Sequence, residues 1–137
     1  MYNDYFFIAD ITGSQEAPPV YTDADGVAMF SVSSDQKKIR FRLEVNNLKD
    51  FLQATIHLGR RNISGPVVIL LSTLNDQAIH SNKILIEGFL TAKDLIGPLK
   101  GKALSEFVDQ MSAGKAYVNV HSMKHPDGEI RGKIKQQ

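Results

Sequence analysis

The sequence of 137 residues contains no cysteine. Disulfides, thiolate nucleophiles and zinc sites built from cysteine are therefore excluded, and the redox compartment is left undetermined. An excess of charge of either sign is also lacking, because 16 basic and 15 acidic residues give a formal net charge of +1. With no long-range field to attract it, the chain is not expected to bind nucleic acid or an anionic membrane surface.

Long hydrophobic runs are absent as well. No segment approaches the roughly 18 to 20 apolar residues of a transmembrane helix, so no membrane span is expected. The first residues lack a basic region, and the apolar run 5–9 is shorter than the core of a signal peptide. The chain as written therefore predicts a cytoplasmic protein, and a chain whose leader had been removed would give the same sequence.

What is present is an ordinary globular composition, with 42% hydrophobic and 23% charged residues. A chain of this length supports one core, and residues 1–137 are expected to form a single domain. Apolar and polar residues alternate repeatedly, most clearly in residues 39–45. About eight such strands with short, turn-rich connections predict an all-β fold, a β-sandwich with Greek-key crossovers.

One helix is expected among the strands. Leu104, Phe107, Val108 and Met111 are spaced i, i+3, i+4 and i+7, and Gly114 is placed to end the helix. This spacing predicts a short helix near residues 103–113 whose apolar stripe covers one end of the core.

The C-terminal segment 116–134 predicts a β-hairpin. Small apolar residues alternate with polar ones in 116–121, and His125-Pro126-Asp127-Gly128 has the residue types of a turn. In the expected antiparallel register one polar face is formed opposite the valines. Its members are Tyr117, Asn119, His121, Glu129 and Arg131.

This polar face has two interpretations. Polar residues on a half-buried strand are usually a solvated outer face, whereas the alternative is a structural or ligand-binding site. His57 lies on the polar side of strand 51–58, and Glu16 lies in a loop with two prolines, which is either a stiff crossover or an ordered loop that offers Glu16 to a ligand. The candidate site therefore comprises Glu16, His57, Asn119, His121, Glu129 and Arg131.

A metal site is the second hypothesis for these residues. Zinc or copper needs three or four ligands, and His57, His121 and His125, or Glu129, would supply them if their strands are neighbours. No Ser/His/Asp arrangement, catalytic carboxylate pair or phosphate-binding glycine loop is recognisable. No catalytic residue is predicted, and no cofactor is expected unless Zn or Cu binds these histidines.

Five motifs in order resemble the CHRD domain, which is found in chordin and as a stand-alone domain in many bacterial proteins. They are residues 13–20 (GSQEAPPV), 54–57 (ATIH), 65–68 (GPVV), 90–95 (LTAKDL) and 116–121 (AYVNVH) running into 128–132 (GEIRG). Where the family often shows two histidines separated by one residue, this chain has Thr55 and His57, which leaves a single imidazole.

The resemblance implies an immunoglobulin-like or superoxide-dismutase-like β-sandwich that is generally extracellular and has no established catalytic activity. The expected function is a non-enzymatic binding or structural module with an unknown protein or glycan partner. The alternative is a Cu or Zn protein that uses His57 and His121 in a redox or hydrolytic role. A homo-oligomer, formed through a sheet edge or the aromatic segment 2–7, is a third hypothesis.

Overall fold

The structure, a computed structural model, describes residues 5–59, 64–73, 77–80 and 83–137. Part of the segment 2–7, considered above for self-association, lies outside these residues. The strands in the described ranges are β1 (Phe6–Thr12), β2 (Asp25–Val32), β3 (Ile39–Asn46), β4 (Phe51–Leu58), β5 (Val67–Leu70), β6 (Gln77–His80), β7 (Lys83–Leu90), β8 (Ala116–Ser122), β9 (Ile130–Lys133) and β10 (Lys135–Gln136). The α-helix, α1, spans Leu104–Ser112.

The strands pair antiparallel in the order β5-β4-β8-β9-β1-β2-β3-β7-β6, and β10 also pairs with β1. The sheet is strongly curled into a half-barrel. The mostly-β, antiparallel class and the single short helix are thus confirmed. The pairing does not divide the described strands into two sheets as a sandwich requires, because curling lets one continuous sheet enclose a core by itself.

The core lies inside the curl, and the alternating strands point their apolar residues into it. In β3 every second residue from Ile39 to Val45 is buried, and the residues between them are more exposed. Helix α1 buries the apolar stripe that its spacing predicted, including Phe107, and the chain leaves the helix through Gly114 at φ 72°. No helix in the described part of the chain has the length and apolarity to cross a membrane.

The predicted C-terminal hairpin is present and sits near the middle of the sheet. Strand β8 pairs with β9, where Asn119 faces Arg131, and its other edge pairs with β4, where Asn119 faces Thr55 and Tyr117 faces His57. Side chains on facing positions of paired strands point to the same side of a sheet. The three strands therefore bring polar residues from distant parts of the sequence together on one face.

Candidate functional site

The polar face of β4, β8 and β9 is covered rather than solvated. Every residue of β8 is buried, and the relative exposure is only 2% for Asn119, 6% for His121 and 6% for Arg131. The cover comes from the proline-containing loop after β1 and from the turn that joins β8 to β9, both of which contribute to the same cleft. The solvated-face interpretation is therefore wrong for these three side chains.

These segments enclose a cleft of about 710 Å³, which we call the polar cleft. Five of the six predicted site residues line it, and His125 also contributes to its wall. Those five residues are Glu16, His57, Asn119, His121 and Arg131. Exposed Pro18, Pro19 and Pro126 lie at its margin. The predicted residues, which come from one loop and three strands, thus lie around one cleft.

Two histidines point the same ring atom at one hydroxyl. Nε2 of His57 lies 2.8 Å from Thr55 Oγ1, and Nε2 of His121 lies 3.0 Å from the same oxygen. The Nδ1 atoms are equally constrained, since each lies 2.8 Å from a backbone carbonyl oxygen, that of Gly65 for His57 and that of Pro126 for His121. A carbonyl only accepts hydrogen bonds, so both Nδ1 atoms carry the proton and both neutral rings present an Nε2 lone pair.

The surroundings keep these imidazoles uncharged. Burial lowers the pKa of His57 and of His121 below the ordinary histidine value, against the opposing effect of the hydrogen bonds to the carbonyls. The positive charge of Arg131 lowers both pKa values further, whereas Asp127 raises that of His121. Both rings are therefore neutral at pH 7, and the Nε2 lone pair of each faces Thr55 Oγ1.

Arg131 is the buried cation of the polar cleft. Its Nε lies 3.3 Å from Glu16 Oε1, and its Nη2 donates to Ser64 Oγ at 3.4 Å. The guanidinium carbon also lies 4.4 Å from the centre of the Tyr117 ring, while His57 stacks on that ring with centroids 5.1 Å apart. Because β8 lies between β4 and β9, the Tyr117 ring separates the His57 imidazole from the Arg131 guanidinium.

Glu16 is buried, and its two carboxyl oxygens have different surroundings. Oε2 is buried without a hydrogen-bond partner in the described residues, and so is Asn119 Oδ1. Both oxygens crowd Gly128, where an added Cβ would lie 2.6 Å from Oε2 and 2.5 Å from Oδ1. Burial raises the pKa of Glu16 to about 7, although Arg131 opposes this effect. A side chain at position 128 would require the buried side chains of Glu16 and Asn119 to move, and φ at this residue is 131°, which favours glycine.

Two predicted site residues have other surroundings. The Glu129 carboxylate accepts hydrogen bonds from Thr22 and, at 2.6 Å, from Ser122 Oγ, and it lines a neighbouring depression instead of the polar cleft. The acidic residue that lies against Arg131 in the polar cleft is Glu16. His125 is half-buried on the turn and lines the cleft, whereas the rings that contact the Thr55 hydroxyl are those of His57 and His121.

Sequence reasoning missed two residues that organise the site. Thr55 occupies a position where the family often has a histidine; the residue is 1% exposed, and its hydroxyl lies within hydrogen-bond distance of both imidazoles. Tyr117 was placed on the polar face without a role, and its hydroxyl accepts a hydrogen bond from the Gly65 amide at 3.0 Å. The available signal was their spacing, because both alternate with buried apolar residues on strands that carry the histidines.

The structure brings together two of the ligands that the metal hypothesis requires. His57 and His121 converge, and a hydrogen bond from Nδ1 to a carbonyl is the usual way in which a metal-binding histidine is oriented. Among the described residues, however, no group of three or more His, Asp or Glu side chains is arranged to hold a metal ion. A closed zinc site with four protein ligands is therefore not formed by this part of the chain.

Comparison with known proteins agrees with the motif order. No curated protein matches the sequence. The family model of the CHRD domain matches residues 7–134, which is nearly the whole chain and includes every residue of the polar cleft named above. The chain therefore belongs to the CHRD domain family.

Proposed function

We propose that this protein is a non-enzymatic binding module and that its ligand enters the polar cleft. One observation carries the proposal: a loop and three strands, distant in sequence, place five buried or half-buried polar side chains around one opening. Ligand sites are typically concave, with a few polar groups at defined positions. The polar cleft has this form.

The energetic cost of the arrangement also supports binding. Burying a guanidinium and a carboxyl group is unfavourable unless they are paired, and such a pair gives the fold little net stability. An apolar pair of similar volume would hold the loop against β9 at lower cost. Arg131 is buried and also lines the cleft. The cost of burying its charge is explained if a ligand in the cleft interacts with it.

The same geometry argues against catalysis. Thr55 has imidazole nitrogens beside its hydroxyl, as an activated nucleophile does, but at 1% exposure it is out of reach of a substrate. The Nδ1 atoms of His57 and His121 are held by carbonyl groups, whereas a catalytic triad orients its histidine with a carboxylate. The hydrogen bonds in the cleft therefore support a role in positioning the two imidazoles and not in activating Thr55 as a nucleophile.

A protein segment or a glycan is the ligand class to test. The purified protein is screened, with chelator present, against a glycan array and a displayed library of random peptides. Every binder is then measured with Gln53→Trp, which places a large ring in the polar cleft from β4, and with Arg40→Trp, a matched change on an exposed position of β3.

We expect binders whose affinity falls at least tenfold with Gln53→Trp and stays unchanged with Arg40→Trp. Mass spectrometry of the recovered ligand is expected to show no chemical change. Binders that are indifferent to Gln53→Trp, or two empty screens, would overturn the assignment of the cleft, and a converted ligand would overturn the non-enzymatic role.

A further inference from the structure

Thr55, His57 and His121, which we call the Thr55 cluster, have one proton fewer than their hydrogen bonds need. Because both Nδ1–H groups donate to carbonyls, both Nε2 atoms need a donor. The Thr55 hydroxyl has a single hydrogen to donate. Its oxygen, Oγ1, lies 2.8 Å from one Nε2 atom and 3.0 Å from the other. One of the two lone pairs therefore faces an oxygen lone pair, which is unfavourable in a buried site.

Either a proton or a metal ion can supply the missing electron-pair acceptor. A proton satisfies one Nε2 lone pair, whereas here two Nε2 atoms converge on one point, each with its Nδ1 atom held by a carbonyl oxygen. Histidines whose other ring nitrogen is oriented in this way are typical metal ligands.

We propose that His57 and His121 form a two-imidazole site for a Cu(I) ion at the floor of the polar cleft. The two Nε2 atoms act as ligands, and Thr55 is a neutral oxygen beside them that holds the rings in place when no ion is bound. The site goes beyond the binding of a peptide or glycan and does not depend on it. The cleft supplies the entry path, since both rings line it.

The ligand set selects the ion. Imidazole nitrogen is a good ligand for copper and zinc. Zn²⁺ requires about four ligands in a tetrahedron, and the described residues offer no third His, Asp or Glu in place. Cu(I), a closed-shell ion, accepts two nitrogen ligands in a nearly linear arrangement.

Charge makes the same distinction. Arg131 repels any cation at this position, and it repels a monovalent ion less than a divalent one. The Arg131 guanidinium is in turn close to Glu16, at 3.3 Å, so that ionisation of Glu16 offsets part of the charge that an added ion introduces. Binding Cu(I) at this cluster therefore has a lower electrostatic cost than binding a divalent ion.

The test is a competition for Cu(I) under anaerobic conditions with the coloured chelator bicinchoninate. The full chain is expected to withdraw one equivalent of Cu(I). His57→Gln and His121→Gln are each expected to weaken binding at least tenfold, because each removes one of two ligands. The matched control is His125→Gln, a histidine on the wall of the same cleft but outside the Thr55 cluster, which is expected to change the affinity less than threefold.

A second measurement needs no variant and therefore does not depend on whether a variant folds. Cu(I) is diamagnetic, so long-range ¹H–¹⁵N spectra of the imidazole rings remain visible after the ion is added. Coordination is expected to shift the Nε2 signals of His57 and His121 and to leave their Nδ1 atoms protonated.

The proposal is overturned if the chain fails to compete with the chelator. It is also overturned if His125→Gln weakens binding as much as the other two variants, or if the Nδ1 signals shift in place of Nε2. Because the peptide and glycan screens are run with chelator present, a negative copper result leaves them unaffected, and empty screens leave the copper result unaffected.

Discussion

Replacing Glu16 by glutamine tests whether this carboxyl group is neutral in the folded protein. Glu16 Oε2 and Asn119 Oδ1 are both buried, both without a hydrogen-bond partner in the described residues, and both packed around Gly128. A proton on Oε2 would let the carboxyl group donate toward Asn119 Oδ1. Glutamine keeps the shape and offers an amide donor at every pH.

The magnitude follows from the pKa. The carboxyl has a pKa of 4.5 when exposed, as in the unfolded chain, and burial raises it to about 7 in the folded protein. A pKa raised on folding means that the protonated form stabilises the fold below pH 4.5 and that this stability is lost as the pH rises through 7. Each pKa unit corresponds to about 1.4 kcal/mol, so the loss is about 3 kcal/mol in the free energy of unfolding.

The assay is urea unfolding of the wild type and Glu16→Gln between pH 4.5 and 8. The two histidines in the cleft lose stability in the opposite direction, toward acid, but they are present in both proteins, so their contribution cancels in the difference. We expect the free energy of unfolding of Glu16→Gln, relative to the wild type, to increase by about 3 kcal/mol from pH 4.5 to pH 8. Glu44→Gln, which removes a partly exposed carboxylate from β3, is the matched control for the substitution itself.

One result would refute the reasoning. If the difference between Glu16→Gln and the wild type stays constant over this pH range, or falls as the pH rises, then Glu16 is ionised in the folded protein. Its contact with Arg131 would in that case be a full ion pair, and the two crowded oxygens around Gly128 would need another explanation.

Three further predictions concern single groups of the site. Gly128→Ala should lower the free energy of unfolding by at least about 2 kcal/mol, because φ is 131° at this residue and the new Cβ would meet a side-chain oxygen at 2.5 Å. Gly101→Ala, at φ 80° with open space around it, should cost only about 1 kcal/mol, and equal costs in urea unfolding would contradict the crowding at Gly128. Arg131→Met should cost about 3 kcal/mol at pH 8 and clearly less at pH 5, where the neighbouring carboxyl group is protonated, and a cost independent of pH would count against the charge pairing. In NMR titrations of the ring protons, His57 and His121 should take up protons only below the ordinary histidine range, so the stability that their neutral forms supply is present above pH 6.5 and is lost on acidification; protonation at or above pH 6.5 would contradict their burial.

Local periodicity was sufficient to predict much of this fold. The alternation in β3, the apolar stripe of α1 and the turn between β8 and β9 each depend on residues a few positions apart, and all three are present. The motif order likewise identified the family, since the CHRD model covers residues 7–134. The prediction failed at sheet level, because alternation tells which face of a strand is buried and not whether neighbouring strands belong to one curled sheet or two.

The candidate site shows the same division. Placement of His57, His121 and Arg131 on polar faces was correct, since a period of two fixes the side of a strand on which a residue lies. Their burial was not predictable, because it is produced by a loop and a turn that fold over the sheet. The partners of Glu129 were not predictable for a related reason: this residue lies where the turn ends, and its carboxylate accepts hydrogen bonds from Ser122 and Thr22.

The amino-acid sequence by itself determined the secondary structure, the family and the residue types available for chemistry. Tertiary structure alone decided that the Glu16 carboxyl contacts Arg131 and that one threonine hydroxyl receives two imidazoles. The physical reason is distance along the chain. Thr55 and His121 meet only when β4 pairs with β8, and Glu16 reaches Arg131 only when the loop after β1 closes over the sheet. The pairing of β4 with β8 and the closure of the loop bring together segments that are far apart in the chain, so no local pattern specifies them.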